Sequence, residues 1–266
     1  MDGESAIELQ DVYKSMGGQA VLRGVSLRVE RGRVLALVGR SGAGKTVILK
    51  HVIGLLRPDR GVVRIDGESL ADPGAVARAR QALGVLFQSG GLFDSLTALE
   101  NVMFPLREHL HVRPAEAARQ ARAALALVRL EDAEAQRPGE MSGGMRKRLA
   151  FARAIVSRPR ILVLDDPTAG LDPLMTDAVV ETIRRGEREL HASTLLVTSD
   201  VRCAFRTADR LALLHNGRIA LEATPEEFER STIPAVEDFL HRWKERRAVP
   251  EEAPPLPGSD LAAHPP

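Results

Sequence analysis

The sequence is poor in aromatic residues and in cysteine, and both scarcities exclude functions. Aromatic side chains make up only 3% of the 266 residues, so platforms that stack nucleic-acid bases are not expected. Cys203 is the single cysteine, which excludes an internal disulfide and fits a reducing compartment. The net charge of +1 offers no strongly basic surface for a polyanion. We therefore expect no nucleic-acid partner.

Long apolar runs are also missing from the sequence. The longest ones, such as Val34–Val38, are far shorter than the roughly 20 residues that a membrane-spanning helix needs. The acidic segment Met1–Ser5 lacks the apolar stretch of a signal peptide. We therefore expect a soluble chain whose role at any membrane comes through a partner.

The sequence does contain enough apolar residues for an α/β core. They make up 44% of the chain, which is sufficient for one large domain or two small ones. Ile7–Val12 and Ala20–Val29 indicate an antiparallel start, and turn residues predict further hairpins at Asp66-Gly67 and Asn216-Gly217. Apolar runs typical of parallel strands occupy residues 33–38, 82–87, 161–164 and 194–198.

Helical patterns fill the middle of the chain. Ala115–Leu130 and Ser142–Val156 predict two helices. Asp172-Pro173 predicts the start of a third helix, Leu174–Leu190, because Asp caps a helix N-terminus and Pro suits its first turn. Cys203 lies on a further expected helix, where we expect it to pack in the core.

The most informative motif is Gly39–Thr46, Gly-Arg-Ser-Gly-Ala-Gly-Lys-Thr, which matches the phosphate-binding P-loop at every fixed position. An expected strand precedes it and an expected helix follows it, as such a loop requires. Its glycines let several backbone N–H groups face one anion, and the helix N-terminus adds partial positive charge. Lys45 would reach the outer phosphates and the Thr46 hydroxyl would ligate Mg²⁺. The motif therefore predicts binding of ATP with Mg²⁺.

A second motif is the apolar run Ile161–Leu164, which ends in the carboxylate of Asp165. In a P-loop protein such a carboxylate would hold Mg²⁺ through water. An apolar run before an aspartate is common by itself. The motif gains its meaning from the P-loop.

The segment Met141-Ser-Gly-Gly-Met145 resembles the signature motif of ABC-type ATPases, which usually reads Leu-Ser-Gly-Gly-Gln. Two further positions follow in that family's order. Gln88 ends a strand where the family has its Q-loop glutamine, and Ala169–Asp172 resembles the D-loop. The resemblance covers residues 6 to 240, and it implies the ATPase subunit that powers a membrane transporter.

The resemblance and the patterns together predict an α/β fold. It has a P-loop NTPase core with a parallel sheet, an N-terminal antiparallel β segment and an inserted helical subdomain. We expect the nucleotide-binding domain at residues 5–245, made of a core at about 5–87 and 160–225, a helical subdomain at about 88–159 and a C-terminal helical appendix at about 225–245. The proline-rich segment 249–266 predicts a disordered tail.

The resemblance also implies a site that two subunits share, packed head to tail with twofold symmetry. One subunit would bind the nucleotide through Met16, Val21, Gly39, Arg40, Ser41, Gly42, Ala43, Gly44, Lys45, Thr46 and Val47. The second copy would contribute Ser142, Gly143, Gly144 and Asp172. Mg²⁺ would be held by Thr46, Gln88 and Asp165, and the catalytic positions are Asp166, Gln88 and Ser199. ATP would hold the dimer closed, and hydrolysis would let it open.

Four stretches of the sequence resemble the ATPases of Mla-type phospholipid transporters. They are Phe87–Leu96, Glu100–Val102, Phe104–His109 and Met145 followed by Arg-Lys-Arg. In that group the subunit works with an integral-membrane permease, an MCE lipid-binding protein and a small regulatory subunit. The resemblance thus implies phospholipid transport and a cytoplasmic subunit held at the inner face of the cell membrane by the permease. The dimer partner would be a second copy or a similar ATPase subunit.

Three positions depart from the family pattern, and all three concern ATP. Asp166 stands where the family has a glutamate general base, and Ser199 where it has a histidine that contacts the γ-phosphate. Met16 stands where an aromatic residue usually stacks on adenine. An aspartate draws the carboxylate back by about 1–1.5 Å, and a misplacement of about 1 Å costs on the order of 10²-fold in rate. Ser199 would donate only one short hydrogen bond.

These departures leave two readings of ATP use. In the first the chain is a working but slow ATPase with Asp166 as base. In the second it binds ATP and dimerises with little turnover, as a degenerate or regulatory subunit or an assembly switch. A third alternative is a soluble non-transport ABC protein that acts on nucleic acid or ribosomes. We expect Arg146-Lys147-Arg148 to be solvated or to face the dimer partner.

Overall fold

The computed structural model describes the backbone of residues 5–248 and the side chains of residues 5–241. In chain order the strands are β1 (Ser5–Met16), β2 (Gln19–Glu30), β3 (Val34–Val38), β4 (Arg60–Ile65), β5 (Glu68–Ser69), β6 (Leu83–Leu86), β7 (Ile161–Asp165), β8 (Ser193–Thr198), β9 (Arg210–His215) and β10 (Arg218–Ala223). The helices are α1 (Lys45–Val52), α2 (Pro73–Ala82), α3 (Ala98–Glu108), α4 (Pro114–Leu127), α5 (Gly143–Ile155), α6 (Pro173–Leu190), α7 (Val201–Thr207), α8 (Pro225–Glu229) and α9 (Pro234–Ala248). The tail predicted at 249–266 lies outside the described residues.

The larger sheet has six strands in the order β10-β9-β3-β8-β7-β6. Its inner pairs are all parallel, and only β10 runs antiparallel to its neighbour β9. Strands β3, β7 and β8 are buried along their whole length, as expected for a sheet with both faces covered. The carboxyl ends of the parallel strands therefore lie along one edge, where sheets of this kind bind ligands.

The smaller sheet is antiparallel, in the order β2-β1-β4-β5. It contains the predicted opening pair, β1 with β2, and the hairpin at Asp66-Gly67 that joins β4 to β5. The hairpin predicted at Asn216-Gly217 joins β9 to β10 in the larger sheet. Asn216 and Gly217 both have positive φ, of 50° and 76°, as a tight hairpin turn requires. The predicted α/β fold, with its antiparallel N-terminal segment, is confirmed.

Three helices, α3, α4 and α5, lie between β6 and β7, where the sequence predicts helices. They share one core with α6 and the larger sheet, and Phe151 on α5 is fully buried in it. Helix α4 ends at Leu127 rather than at the expected Leu130, because Arg129 has a positive φ of 57° that a helix cannot continue. The division into core, helical subdomain and appendix stays a prediction. No helix within residues 5–248 combines the length and apolar character needed to cross a bilayer.

Helix α6 carries a buried carboxyl group that predicts a pH-dependent stability. Glu187 is buried, and its Oε1 has no hydrogen-bond partner. Burial, with a further contribution from the charge of Asp209, raises the pKa of Glu187 to about 8 from an ordinary 4.5. The folded chain then keeps a proton that the unfolded chain loses. Stability should therefore fall as pH rises from about 4.5 to about 8, by on the order of 3 kcal/mol at pH 7, and stay level above that.

The Glu187→Gln variant should remove this slope, because glutamine stays neutral throughout. Urea unfolding of both proteins between pH 5 and pH 8 measures the effect. Exposed Glu189, on the same helix, gives the matched control, Glu189→Gln, which should keep the wild-type slope. An unchanged slope in Glu187→Gln would show that Glu187 is already ionised in the folded chain.

Candidate nucleotide-binding site

Four neighbouring strands of the larger sheet deliver the predicted site residues to one edge. Strand β3 leads into the loop 39–44, β8 ends beside Ser199, β7 ends in Asp165 followed by Asp166, and β6 ends just before Gln88. These strands lie side by side in the order β3-β8-β7-β6. The parallel register thus brings together residues that lie up to 160 positions apart, from Gly39 to Ser199.

The loop before α1 has a backbone that only glycine fits at two points. A Cβ on Gly39 would lie 2.6 Å from the carbonyl oxygen of Leu214, and one on Gly44 would lie 3.0 Å from Val21 Cγ1. Gly44 is the N-cap of α1, with a φ of 106°, and no side chain caps this helix end. No acidic residue lies in the first turn either. The free N–H groups of this end form an anion cradle that fits a phosphate group.

Lys45 supplies the positive charge of the cradle. It is buried, and its ammonium donates hydrogen bonds to the carbonyl oxygens of Gly39, at 2.7 Å, and Arg40, at 3.0 Å. Burial lowers the pKa of Lys45, while the negative charges of Asp166 and Asp165 act in the opposite direction. An ammonium held above this loop is placed to meet the outer phosphates of a nucleotide.

The end of β7 places two carboxylates next to each other. Asp165 is buried, and burial, followed by the charge of Asp166, raises the pKa of Asp165, which Lys45 and Lys147 partly offset. No group of three or more His, Cys, Asp or Glu within the described part of the chain has a metal-binding arrangement. One carboxylate and the exposed Thr46 hydroxyl on α1 nevertheless fit Mg²⁺, which keeps several waters and takes phosphate oxygens as ligands.

Asp166 and Ser199, two of the three positions that depart from the family pattern, are in direct contact. The Ser199 hydroxyl donates to Asp166 Oδ2 at 3.2 Å, and the Thr198 hydroxyl donates to Oδ1 at 2.8 Å. Asp166 has a left-handed backbone, with a φ of 44°, and its N–H donates to Val197 O at 2.7 Å. Both oxygens of the carboxylate therefore already accept a hydrogen bond. Sequence reasoning missed Thr198, whose only signal was its place at the end of a strand beside Ser199.

Val21 and Met16 come from the antiparallel sheet. Val21 on β2 packs against Gly44 and so lies at the loop. Met16, at the end of β1, has 45% of its surface exposed. An exposed thioether of this kind is able to cover the face of an aromatic ring. Gln88 also has an exposed side chain.

The residues expected to serve a second copy form a separate cluster. Ser142 caps α5 by accepting from Met145 N–H at 3.2 Å, and Asp172 caps α6 by accepting from Met175 N–H at 2.9 Å. A Cβ on Gly144 would lie 3.4 Å from Met175 Sδ, so the two helix ends lie side by side. Ser142 and Asp172 are both exposed. The predicted cap at Asp172 is confirmed.

The expectation that Arg146-Lys147-Arg148 is solvated or faces a partner is wrong for Lys147. Arg146 is exposed, but Lys147 is only 9% exposed and its ammonium donates to the carbonyl oxygen of Gln88. Lys147 lies on the buried stripe of α5 with Gly144 and Phe151, at the i, i+3, i+7 spacing of a helix face. This helical spacing could have indicated from the sequence that Lys147 is buried.

Comparisons with known proteins agree with this geometry. A family model described as ABC transporter matches residues 22–169. The probable ribonucleotide transport ATP-binding protein mkl of Mycobacterium leprae is 39% identical over 238 residues, which are 89% of this chain and 69% of that protein. The intermembrane phospholipid transport system ATP-binding protein MlaF of Haemophilus influenzae is 33% identical over 240 residues, 89% of this chain and 90% of that protein. A solved dimeric ATP-binding cassette, in a post-hydrolysis state with ADP and phosphate bound, has a TM-score of 0.74 and 29% identity over 82% of this chain and 98% of its own.

Proposed function

The chain belongs to the ABC transporter family of ATP-binding domains, and we propose that it is the ATPase subunit of a phospholipid transporter that hydrolyses ATP slowly. One observation carries the nucleotide-binding part of the proposal: the uncapped N-terminus of α1, the buried Lys45 and two adjacent carboxylates meet at the edge of a parallel sheet. Donors for phosphate and acceptors for a divalent cation are needed together for a nucleotide bound with its metal.

We assign the nucleotide to the loop from Gly39 to Val47. Its N–H groups and Lys45 would hold the phosphates, and Met16 and Val21 would lie against the base. Thr46, Gln88 and Asp165 would hold Mg²⁺, which when bound neutralises phosphate charge. The electrostatic influence of Asp166 and Asp165 on Lys45 supports these roles, because a phosphate held by Lys45 and a cation held by a carboxylate would then be neighbours.

The second copy completes the site in this proposal. Helix α5 begins at the half-buried Gly143 and is capped by the exposed Ser142, and these small residues would let its backbone approach a phosphate closely. Asp172 lies beside it at the end of α6. Two copies packed head to tail would thus place one α5 end opposite each loop.

Slow turnover follows from the contacts of Asp166. As general base it would orient the attacking water, yet it is one methylene shorter than glutamate, and Ser199 and Thr198 hold its two oxygens. Gln88 and Ser199 would assist Asp166 in orienting the water.

The same contacts favour a second candidate, an ATP-driven switch that dimerises with little turnover. Sedimentation of the purified chain with ATP and Mg²⁺, alongside release of phosphate, separates the two. Slow phosphate release from an ATP-induced dimer supports the enzyme. An ATP-induced dimer that releases none supports the switch, and a chain that remains monomeric contradicts both.

Phospholipid is the transported substrate in our proposal because the Haemophilus relative, named for phospholipid transport, is matched over nearly its whole length. The mycobacterial relative, named for ribonucleotide transport, extends well beyond the matched part. A permease would dock near the Gln88 loop, where Phe87 and Phe93 are exposed. An MCE lipid-binding protein and a small regulatory subunit would complete a system on the cytoplasmic face of the membrane.

A transport assay distinguishes the two substrates. Cells that carry either the wild-type chain or Lys45→Ala are compared for transfer of a fluorescent phospholipid between membranes and for uptake of a labelled ribonucleotide. Loss of phospholipid transfer alone is expected in the variant. Loss of ribonucleotide uptake alone would contradict the lipid assignment.

A further inference from the structure

We propose that Lys147 is a positioning residue that ties the Gln88 loop of one site to helix α5, whose N-terminus serves the other site. This inference rests on the proposed function, since it takes α5 as the element presented to a second copy. It concerns a residue outside the P-loop and outside the motif Ser142–Gly144.

The first support is the place of the ammonium group. Lys147 is 9% exposed, and its Nζ donates to the carbonyl oxygen of Gln88, 59 positions away in the chain. The charged groups that act on it are Asp166 and Asp165, whose negative charges oppose the effect of burial on the pKa of Lys147. A buried ammonium has few ways to satisfy its donors, so the bond to the Gln88 carbonyl oxygen holds α5 and the Gln88 loop together.

The second support is that α5 holds the same loop at another point. Arg153 donates to the carbonyl oxygens of Gly90, at 2.9 Å, and Gly91, at 2.7 Å. Two cations of one helix thus bind three of the four carbonyl groups of residues 88–91. A loop held in this way moves together with the helix.

Lys147 and Arg153 differ in the groups that surround their charges. Arg153 lies over the ring of Phe93, 5.8 Å from its centre, whereas Lys147 lies within the electrostatic influence of Asp166 and Asp165. Since α5 begins with the residues offered to a second copy, the two sites are linked by one side chain.

The test uses Lys147→Met, which keeps the length of the side chain and removes its charge, and Lys147→Arg, which keeps the charge. Arg148→Met is the matched control, because Arg148 is the next residue of α5 and donates to Val128 O and Arg129 O instead. Amide hydrogen exchange of residues 86–92 is measured in nucleotide-free protein, followed by kcat and KM for ATP. Lys147→Gln replaces Lys147→Met if the latter does not fold.

Exchange in residues 86–92 should be at least about tenfold faster in Lys147→Met, as expected from the loss of one charged hydrogen bond. Its kcat should fall by at least about tenfold with KM within about twofold of wild type. Lys147→Arg should keep both the exchange rate and kcat close to their wild-type values, and Arg148→Met should change neither quantity. Unchanged exchange in Lys147→Met, or the same changes in Arg148→Met, would overturn the proposal. A wild-type chain without ATPase activity would defeat the proposed function, while exchange would still decide the role of Lys147.

Discussion

Replacing Lys45 with alanine should abolish measurable ATP binding. The ammonium is the buried cation of the cradle, held over the loop by the carbonyl oxygens of Gly39 and Arg40. Its charge-assisted bonds to phosphate oxygens would be lost, together with the local compensation for the negative charges of Asp165 and Asp166. Two such bonds at about 1.5–3 kcal/mol each correspond to a loss of affinity of at least about 100-fold. Calorimetric titration with ATP measures it.

Lys50→Ala is the control for this experiment, because Lys50 lies on the same helix with an exposed side chain. It should bind ATP nearly as the wild type does. Thermal melting of both variants shows that the fold is intact. Unchanged ATP affinity in a folded Lys45→Ala protein would contradict the assignment of the loop 39–46 as the phosphate site.

The double substitution Asp166→Glu with Ser199→His should raise kcat by about 10- to 100-fold. Glutamate carries the carboxylate outward, beyond the Thr198 hydroxyl that now holds Oδ1 at 2.8 Å, and so closer to an attacking water. Histidine in place of Ser199 offers a longer donor toward the γ-phosphate and leaves one carboxylate oxygen free. Steady-state phosphate release at saturating ATP measures the change.

Single variants and a control separate the two contributions. Asp166→Glu alone should give most of the gain, and the pair should be non-additive because the two side chains are in contact. Asp166→Asn keeps the shape without the base and should be nearly inactive. If neither substitution nor their combination raises kcat, the γ-phosphate side of the site does not limit turnover.

Local patterns in the sequence were enough to predict the elements of the fold that position the site. The strand, loop and helix around Gly39–Thr46 each carry their own signal, and so does the Asn216-Gly217 hairpin, where the turn chemistry dictates the geometry. The parallel strands are short apolar runs, and this apolar composition predicted that they are buried strands of a parallel sheet. The end of α4 was placed wrongly because the left-handed residue Arg129 has no marker in the sequence.

The contacts within the site were not predictable in the same way. Thr198 meets Asp166 across 32 positions, and Lys147 meets Gln88 across 59. Such contacts depend on which strands are neighbours and on how α5 packs against the sheet. The position of Lys147 on a buried helix stripe could have indicated burial, but not the partner of its charge.

The central claim is that two copies of this chain share each ATP site, and mixing two inactive variants tests it most directly. Lys45→Ala lacks its own phosphate site but keeps Ser142–Gly144, whereas Gly143→Asp keeps the loop and places a negative charge at the start of α5. Each mixed dimer has one intact site, so an equimolar mixture should recover from about a quarter of the wild-type phosphate release, for random pairing, to about a half, where ATP holds only mixed dimers together. A mixture as inactive as either variant alone would contradict the shared site.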